Sequence, residues 1–186
     1  MNGIDRFMYS FQEQILIGTV LGGSSLVKPP KGKNYYLSMR SKNEKWLQYK
    51  MYQMSSYFKN PKLHLYGNTY RANSSCTEFL TDMRHMLYEG DERIIKMETL
   101  NTLMDVGIAV WFLDGGSMTG RDRKNAYINT TKFQIDGTNV VLQYFNEVGM
   151  PCHINRDGKR LKILFTVEGT LKLFATIGHQ IPIFML

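Results

Sequence analysis

Apolar positions along the chain change period several times, and each change marks an element. Residues 13–22 (EQILIGTVLG) read as a short apolar helix that ends in glycines. Residues 24–29 and 34–40 read as a strand pair around the PPKGKN loop. In NYYLSMR, Tyr35, Leu37 and Met39 fall on one face and Tyr36, Ser38 and Arg40 on the other. Residues 43–57 follow helix spacing behind Asn43 as N-cap. A hairpin over 62–66 and 69–74 turns at Gly67-Asn68, and Thr77 caps an amphipathic helix through about Tyr88.

The second half repeats the order. Residues 103–114 give an apolar helix that again ends in glycines. Strands are predicted at 117–120 and 125–133, and a helix over 136–148 stops at Gly149. Residues 151–155 and 160–166 form a hairpin around Asp157-Gly158, and a last helix spans 168–178. The pattern is αββαββα, twice. Gly22-Gly23 recur as Asp114-Gly115, Asn34-Tyr35-Tyr36 as Asn125-Ala126-Tyr127, and His64 as His153. Such a duplication predicts pseudo-twofold symmetry, which suits a ligand that is itself nearly twofold, as duplex DNA is.

Composition narrows the class. The chain has 186 residues and 43% hydrophobic content, an ordinary value for a folded protein. No apolar run is long enough for a membrane span, and the segment MNGIDRFMYSFQEQ lacks a signal-peptide core. Cys76 and Cys152 are too few for a disulfide scaffold or a cysteine zinc site, so a reducing intracellular compartment is expected. A net charge of +7 is compatible with a polyanionic partner. The basic residues cluster in 28–50, 121–132 and 156–162, interleaved with Tyr, Asn and Thr, which favours nucleic acid over a uniformly solvated surface.

Other chemistries find little support. His64, His85, His153 and His179 have no metal-ligand spacing, and Ser24, Ser25 and Ser117 lack a paired histidine. No P-loop or Rossmann glycine pattern is present.

The stretches Leu16–Ser24 (LIGTVLGGS) and Ile108–Gly116 (IAVWFLDGG) resemble the paired motifs of monomeric, two-motif LAGLIDADG homing endonucleases. Basic strands follow each, and His179-Gln180-Ile181-Pro182 resembles the end of their C-terminal helix. The resemblance spans the chain. It implies an α+β fold with two lobes, 1–97 and 98–186, each offering a saddle-shaped antiparallel sheet to double-stranded DNA. It implies a monomer that recognises a long, nearly palindromic site of roughly 20 bp. In active form, it implies a Mg²⁺-dependent double-strand break serving intron or intein mobility. Gly18 would let the two motif helices approach closely.

The chain departs from the family at the reaction centre. The eighth motif positions, where the family has acids, are Gly23 and Gly115. The positions beside the metals would be Gly22, Gly23, Asp114 and Gly115. Arg40 and Arg93 are the basic candidates for the active site, the first with an ordinary phosphate contact as its alternative, the second with a solvated charge. Both acid positions carry the same change in intact surroundings, a pattern that favours deliberate inactivation over natural decay. Cleavage deficiency follows in either case. The alternative function is a non-cleaving intron maturase, with intron RNA as partner, or a DNA-binding regulator.

The residues expected to read base edges or phosphates are Arg40, His64, Arg71, Tyr127, Asn129, Thr131, Lys132, Asn155, Arg156 and Lys162. Further phosphate contacts are expected from Lys28, Lys31, Lys33, Lys42, Arg121, Arg123, Lys124, Lys159 and Arg160.

Overall fold

The fold is that of a computed structural model, which describes residues 9–59 and 61–185. Part of the N-terminal segment read above as lacking a signal peptide lies outside the described residues.

Ser10 starts the first helix, α1 (Phe11–Gly22), with a capping box: its backbone N–H donates to Glu13 Oε2 at 2.7 Å and its hydroxyl accepts from the Glu13 N–H. After α1 the chain pairs β1 (Ser25–Val27) with β2 (Tyr36–Ser41) and enters α2 (Glu44–Gln53), capped by Asn43. The hairpin β3 (His64–Tyr66) and β4 (Thr69–Asn73) follows, then α3 (Glu78–Leu87), capped by Thr77. A two-residue hairpin, β5 (Tyr88–Glu89) and β6 (Glu92–Arg93), and a one-turn α4 (Met97–Leu100) lead to the second half.

There α5 (Asp105–Gly115) precedes β7 (Gly116–Thr119), β8 (Asn125–Asn129), α6 (Gln134–Glu147), β9 (Cys152–Asp157), β10 (Arg160–Phe165) and α7 (Val167–Ile177). The two larger sheets share one antiparallel topology, β1-β2-β4-β3 and β7-β8-β10-β9. The mixed fold and the repeated order agree with the sequence pattern.

Helices α1 and α5 are apolar on nearly every side because they pack against each other between the sheets. Their backbones meet at glycine. A Cβ on Gly18 would lie 2.3 Å from Gly107 O and 3.0 Å from Val110 Cβ. Gly18→Ala should therefore destabilise by about 1–3 kcal/mol through overpacking. A loss below half a kcal/mol in urea unfolding would show that the crossing relaxes freely. The fully buried Gln14 fixes the register of this helix pair. Its Nε2 donates to Thr102 O at 2.7 Å, and its Oε1 accepts from the N–H of Met104, the N-cap of α5, at 2.9 Å.

Local differences from the sequence reading have local causes. The strand expected to run to residue 133 stops at Asn129, where Thr131–Phe133 form a 3₁₀ turn. The helix expected over 43–57 ends at Gln53, and Ser55–Tyr57 form a separate 3₁₀ turn. The repeat is also offset. Ser25 pairs with Ser38, and Ser117 pairs with Tyr127, so Tyr127 answers to Ser38, not to Tyr36. Arg71 pairs with both Arg40 and His64, while Lys162 pairs with both Asn129 and Asn155. Asn129 is therefore the counterpart of Arg40, and Asn155, not His153, is the counterpart of His64.

The two thiols report on this packing. Cys76 is exposed, whereas burial pushes the Cys152 thiol up to about 12. At pH 8, one thiol equivalent should react with a disulfide reagent in the folded chain and two in guanidinium. Because an unfolded cysteine titrates near ~8.5, the unfolded state sheds this proton first, and stability should fall as pH rises between that value and about 12. Rapid reaction of both thiols in the folded protein would contradict the packing around Cys152.

Candidate active centre and nucleic-acid interface

Helices α1 and α5 end side by side, with Gly22 and Gly23 closing the first and Gly115 closing the second. A Cβ on Gly115 would lie 3.1 Å from Gly22 O, and one on Gly22 would lie 2.3 Å from Asp114 Cβ. Gly23 closes α1 at φ +132°, in the region that favours glycine. Its N–H donates to Thr19 O and Val20 O.

Two cations cap the carbonyl end of α1, as the negative pole of a helix favours. The Arg93 guanidinium, delivered by β6, donates to Val20 O at 2.5 Å and to Ser24 O. Arg93 is thus not a solvated charge, and its burial holds its pKa below the usual arginine value. Lys132 reaches across from the second half, and its Nζ donates to Gly23 O at 2.7 Å. A Cβ on Gly23 would lie 3.2 Å from that ammonium. Partial desolvation lowers the Lys132 pKa from the ordinary lysine value, and the nearby Arg93 and Arg40 lower it further.

Asp114 is committed elsewhere. Its Oδ2 pairs with Lys50 Nζ at 2.6 Å and its Oδ1 accepts from Trp46 Nε1 at 2.6 Å. Trp46 and Lys50 lie one turn apart on α2, so they face α5 together. Lys50, counted by sequence among the surface basic residues, is fully buried. It is the residue that sequence reasoning missed, and its signal was its helical spacing with Trp46.

This arrangement does not fit a two-metal centre. Hard divalent cations need oxygen ligands, chiefly carboxylates. Gly23 and Gly115 supply no side-chain oxygen, Gly23 O accepts from Lys132, and Asp114 is held by Lys50 and Trp46. Among the described residues, no group of three or more His, Cys, Asp or Glu side chains could hold a metal ion.

The polar faces of the two larger sheets carry most of the predicted readers. Strand register puts Ser38, Arg40, Arg71 and His64 on one face of the first sheet. Tyr127, Asn129, Lys162 and Asn155 lie on the corresponding face of the second. Inward neighbours Leu37, Met39, Ala72, Ile128 and Ile163 are buried, which fixes that alternation. Cations stack on tyrosines there: Arg71 lies 4.9 Å from the Tyr66 ring centroid and Lys162 lies 4.6 Å from that of Tyr127.

Arg156 pairs with buried Leu161 and has the opposite parity, so it sits off this face. Thr131 lies beyond the end of β8, beside Asn129 in the smaller of two clefts. Its hydroxyl accepts from Leu161 N–H at 2.9 Å, and its own N–H donates to Asn129 Oδ1 at 3.0 Å, closing the end of β8. Lys28, Lys31 and Lys33 are exposed in the β1–β2 loop, and Arg121, Arg123 and Lys124 in the β7–β8 loop. Lys42 is exposed after β2, Lys159 in the β9–β10 turn, and Arg160 at the start of β10.

Clefts flank the helix junction. One of about 670 Å³ is lined by Gly23, Ser25, Ser38, Arg40, Asp114 and Lys132, among others. The other, of about 430 Å³, is lined by Gly115, Tyr127, Asn129, Arg160 and again Lys132.

Paired glycine-bearing helices, each followed by a four-stranded sheet of identical order, define a duplicated LAGLIDADG-type scaffold. The chain belongs to the LAGLIDADG DNA endonuclease family, which it matches over residues 13–173. It is 24% identical over 178 residues to the probable intron-encoded endonuclease 1 of Wickerhamomyces canadensis, covering 88% of this chain and 76% of that protein. Its fold is similar to that of the homing endonuclease I-WcaI bound to its DNA recognition sequence, with a TM-score of 0.87 at 20% identity over 96% of this chain and 85% of that one. It is also similar to I-DmoI in complex with DNA and Mn, with a TM-score of 0.59 at 15% identity over 90% of this chain and 96% of that one. Among the described residues, no helix is long and apolar enough to cross a membrane.

Proposed function

We propose that this chain is a cleavage-deficient homing-endonuclease-type protein that binds a long, nearly palindromic duplex as a monomer. Residues 1–97 and 98–186 form the two lobes, and each reads one half of a site of roughly 20 bp. Phosphate contacts from the loop lysines and arginines set register, and Arg71, Asn129, Asn155 and Lys162 face the base edges. The observation that carries this reading is the repetition of one polar sheet face on both sides of a junction whose carboxylates are absent or occupied. Mg²⁺ belongs to a form with acids at positions 23 and 115, and this chain has no carboxylate to offer it there.

The surroundings accommodate the glycines. Lys132 stands against Gly23, and the Gly23 backbone sits where other residues are strained. These features support natural loss over deliberate inactivation. The same locked junction also favours the second reading, a non-cleaving maturase or DNA-binding regulator on this scaffold.

Selection of bound duplexes from a random DNA pool tests the proposal. One long enriched site with rough twofold symmetry is expected, bound without cleavage in Mg²⁺ or Mn²⁺. Enrichment of no duplex by folded protein at low salt would overturn it, and tight binding of folded intron RNA would then establish the maturase reading.

A further inference from the structure

We propose that Lys132 and Arg40 bind a backbone phosphate of the duplex directly at the helix junction, with no bridging metal ion. The inference rests on the duplex-binding reading above and concerns what takes the place of the family's metals.

Charge balance carries the argument. Arg40, Lys42 and Lys132 line the 670 Å³ cleft, and its one acidic lining residue is Asp114. That carboxylate is already neutralised by Lys50, whose side chain is 1% exposed. Arg93, close behind, spends its guanidinium on Val20 O and Ser24 O. Lys132 gives one proton to Gly23 O and keeps two donors for a ligand. Arg40 is exposed at the cleft and enters no ion pair among the described residues. Ser25 and Ser38 add hydroxyl donors on the same wall. Cations, hydroxyls and a missing anion are the chemistry of a phosphate site.

The test uses the selected duplex, with affinity followed by fluorescence anisotropy. Affinity should be equal in EDTA and in Mg²⁺ at matched ionic strength. Lys132→Gln and Arg40→Gln should each weaken binding and lower the slope of log affinity against log salt by about one. Neutral methylphosphonates placed singly at the central positions should weaken wild-type binding at a central phosphate. The same substitution should leave Lys132→Gln nearly indifferent. A circular-dichroism melt confirms that each variant is folded, and two variants guard against loss of one.

An affinity that rises more than tenfold with Mg²⁺ would overturn the inference. So would equal responses of wild type and both variants to every central methylphosphonate. These results differ from failure of the underlying reading, in which no duplex is enriched at all.

Discussion

Replacing Lys50 with methionine is expected to destabilise the protein by roughly 3–5 kcal/mol, read by urea unfolding. The side chains of Lys50 and Asp114 are 1% and 11% exposed, so the mutation leaves a largely buried carboxylate without its counter-charge. The Trp46 indole still donates to Oδ1 but carries no charge. Asp114→Asn alone should be nearly as damaging, because it strands the lysine. The two changes together should cost much less than the sum of the single changes, the signature of a coupled pair. Because Lys50 stands on α2 and Asp114 on α5, the pair also ties the first half of the chain to the second. A loss below about 1 kcal/mol for Lys50→Met would show that Asp114 has another neutralising partner.

Local chemistry was legible in the sequence. The alternation of Leu37 and Met39 against Tyr36, Ser38 and Arg40 specified which face of β2 is buried. Asn43 and Thr77 cap the helices they were expected to cap, each accepting from a backbone N–H three residues on. Gly18 marks the helix crossing because a close approach leaves no room for a Cβ.

The rest depends on pairings between distant residues, which periodicity does not encode. Arg93 reads as a surface charge until its hydrogen bonds to Val20 and Ser24, some seventy positions earlier, are formed. Thr131 reads as a strand residue because nothing local shows that Leu161 will engage its hydroxyl. The counterpart of Tyr36 was misassigned because the loops between β1 and β2 and between β7 and β8 differ in length, and that of His64 because the stretches from Arg40 to His64 and from Asn129 to Asn155 differ as well. Only the hydrogen-bond register resolves that offset.

Restoring both acids by Gly23→Asp with Gly115→Asp is expected to leave the duplex uncut in Mg²⁺, although the protein binds its site. At position 23 the φ of +132° resists any side chain, and left-handed backbone costs about 1–2 kcal/mol for a non-glycine residue. A carboxylate that does form there meets Lys132, whose ammonium lies 3.2 Å from the new Cβ, and pairs with it. At position 115 the new Cβ lies 3.1 Å from Gly22 O and 3.2 Å from Gly22 Cα, so the helix ends must part slightly. Adding Lys132→Ala to the two acids isolates the cause. Calorimetric titration with Mn²⁺ alone should give no binding for the double variant and measurable binding for the triple. Linear DNA product from the double variant would mean that Lys132 and the Gly23 backbone yield easily. The proposed cleavage deficiency would then trace to the glycines at 23 and 115 alone, and deliberate inactivation would again be the better account of them.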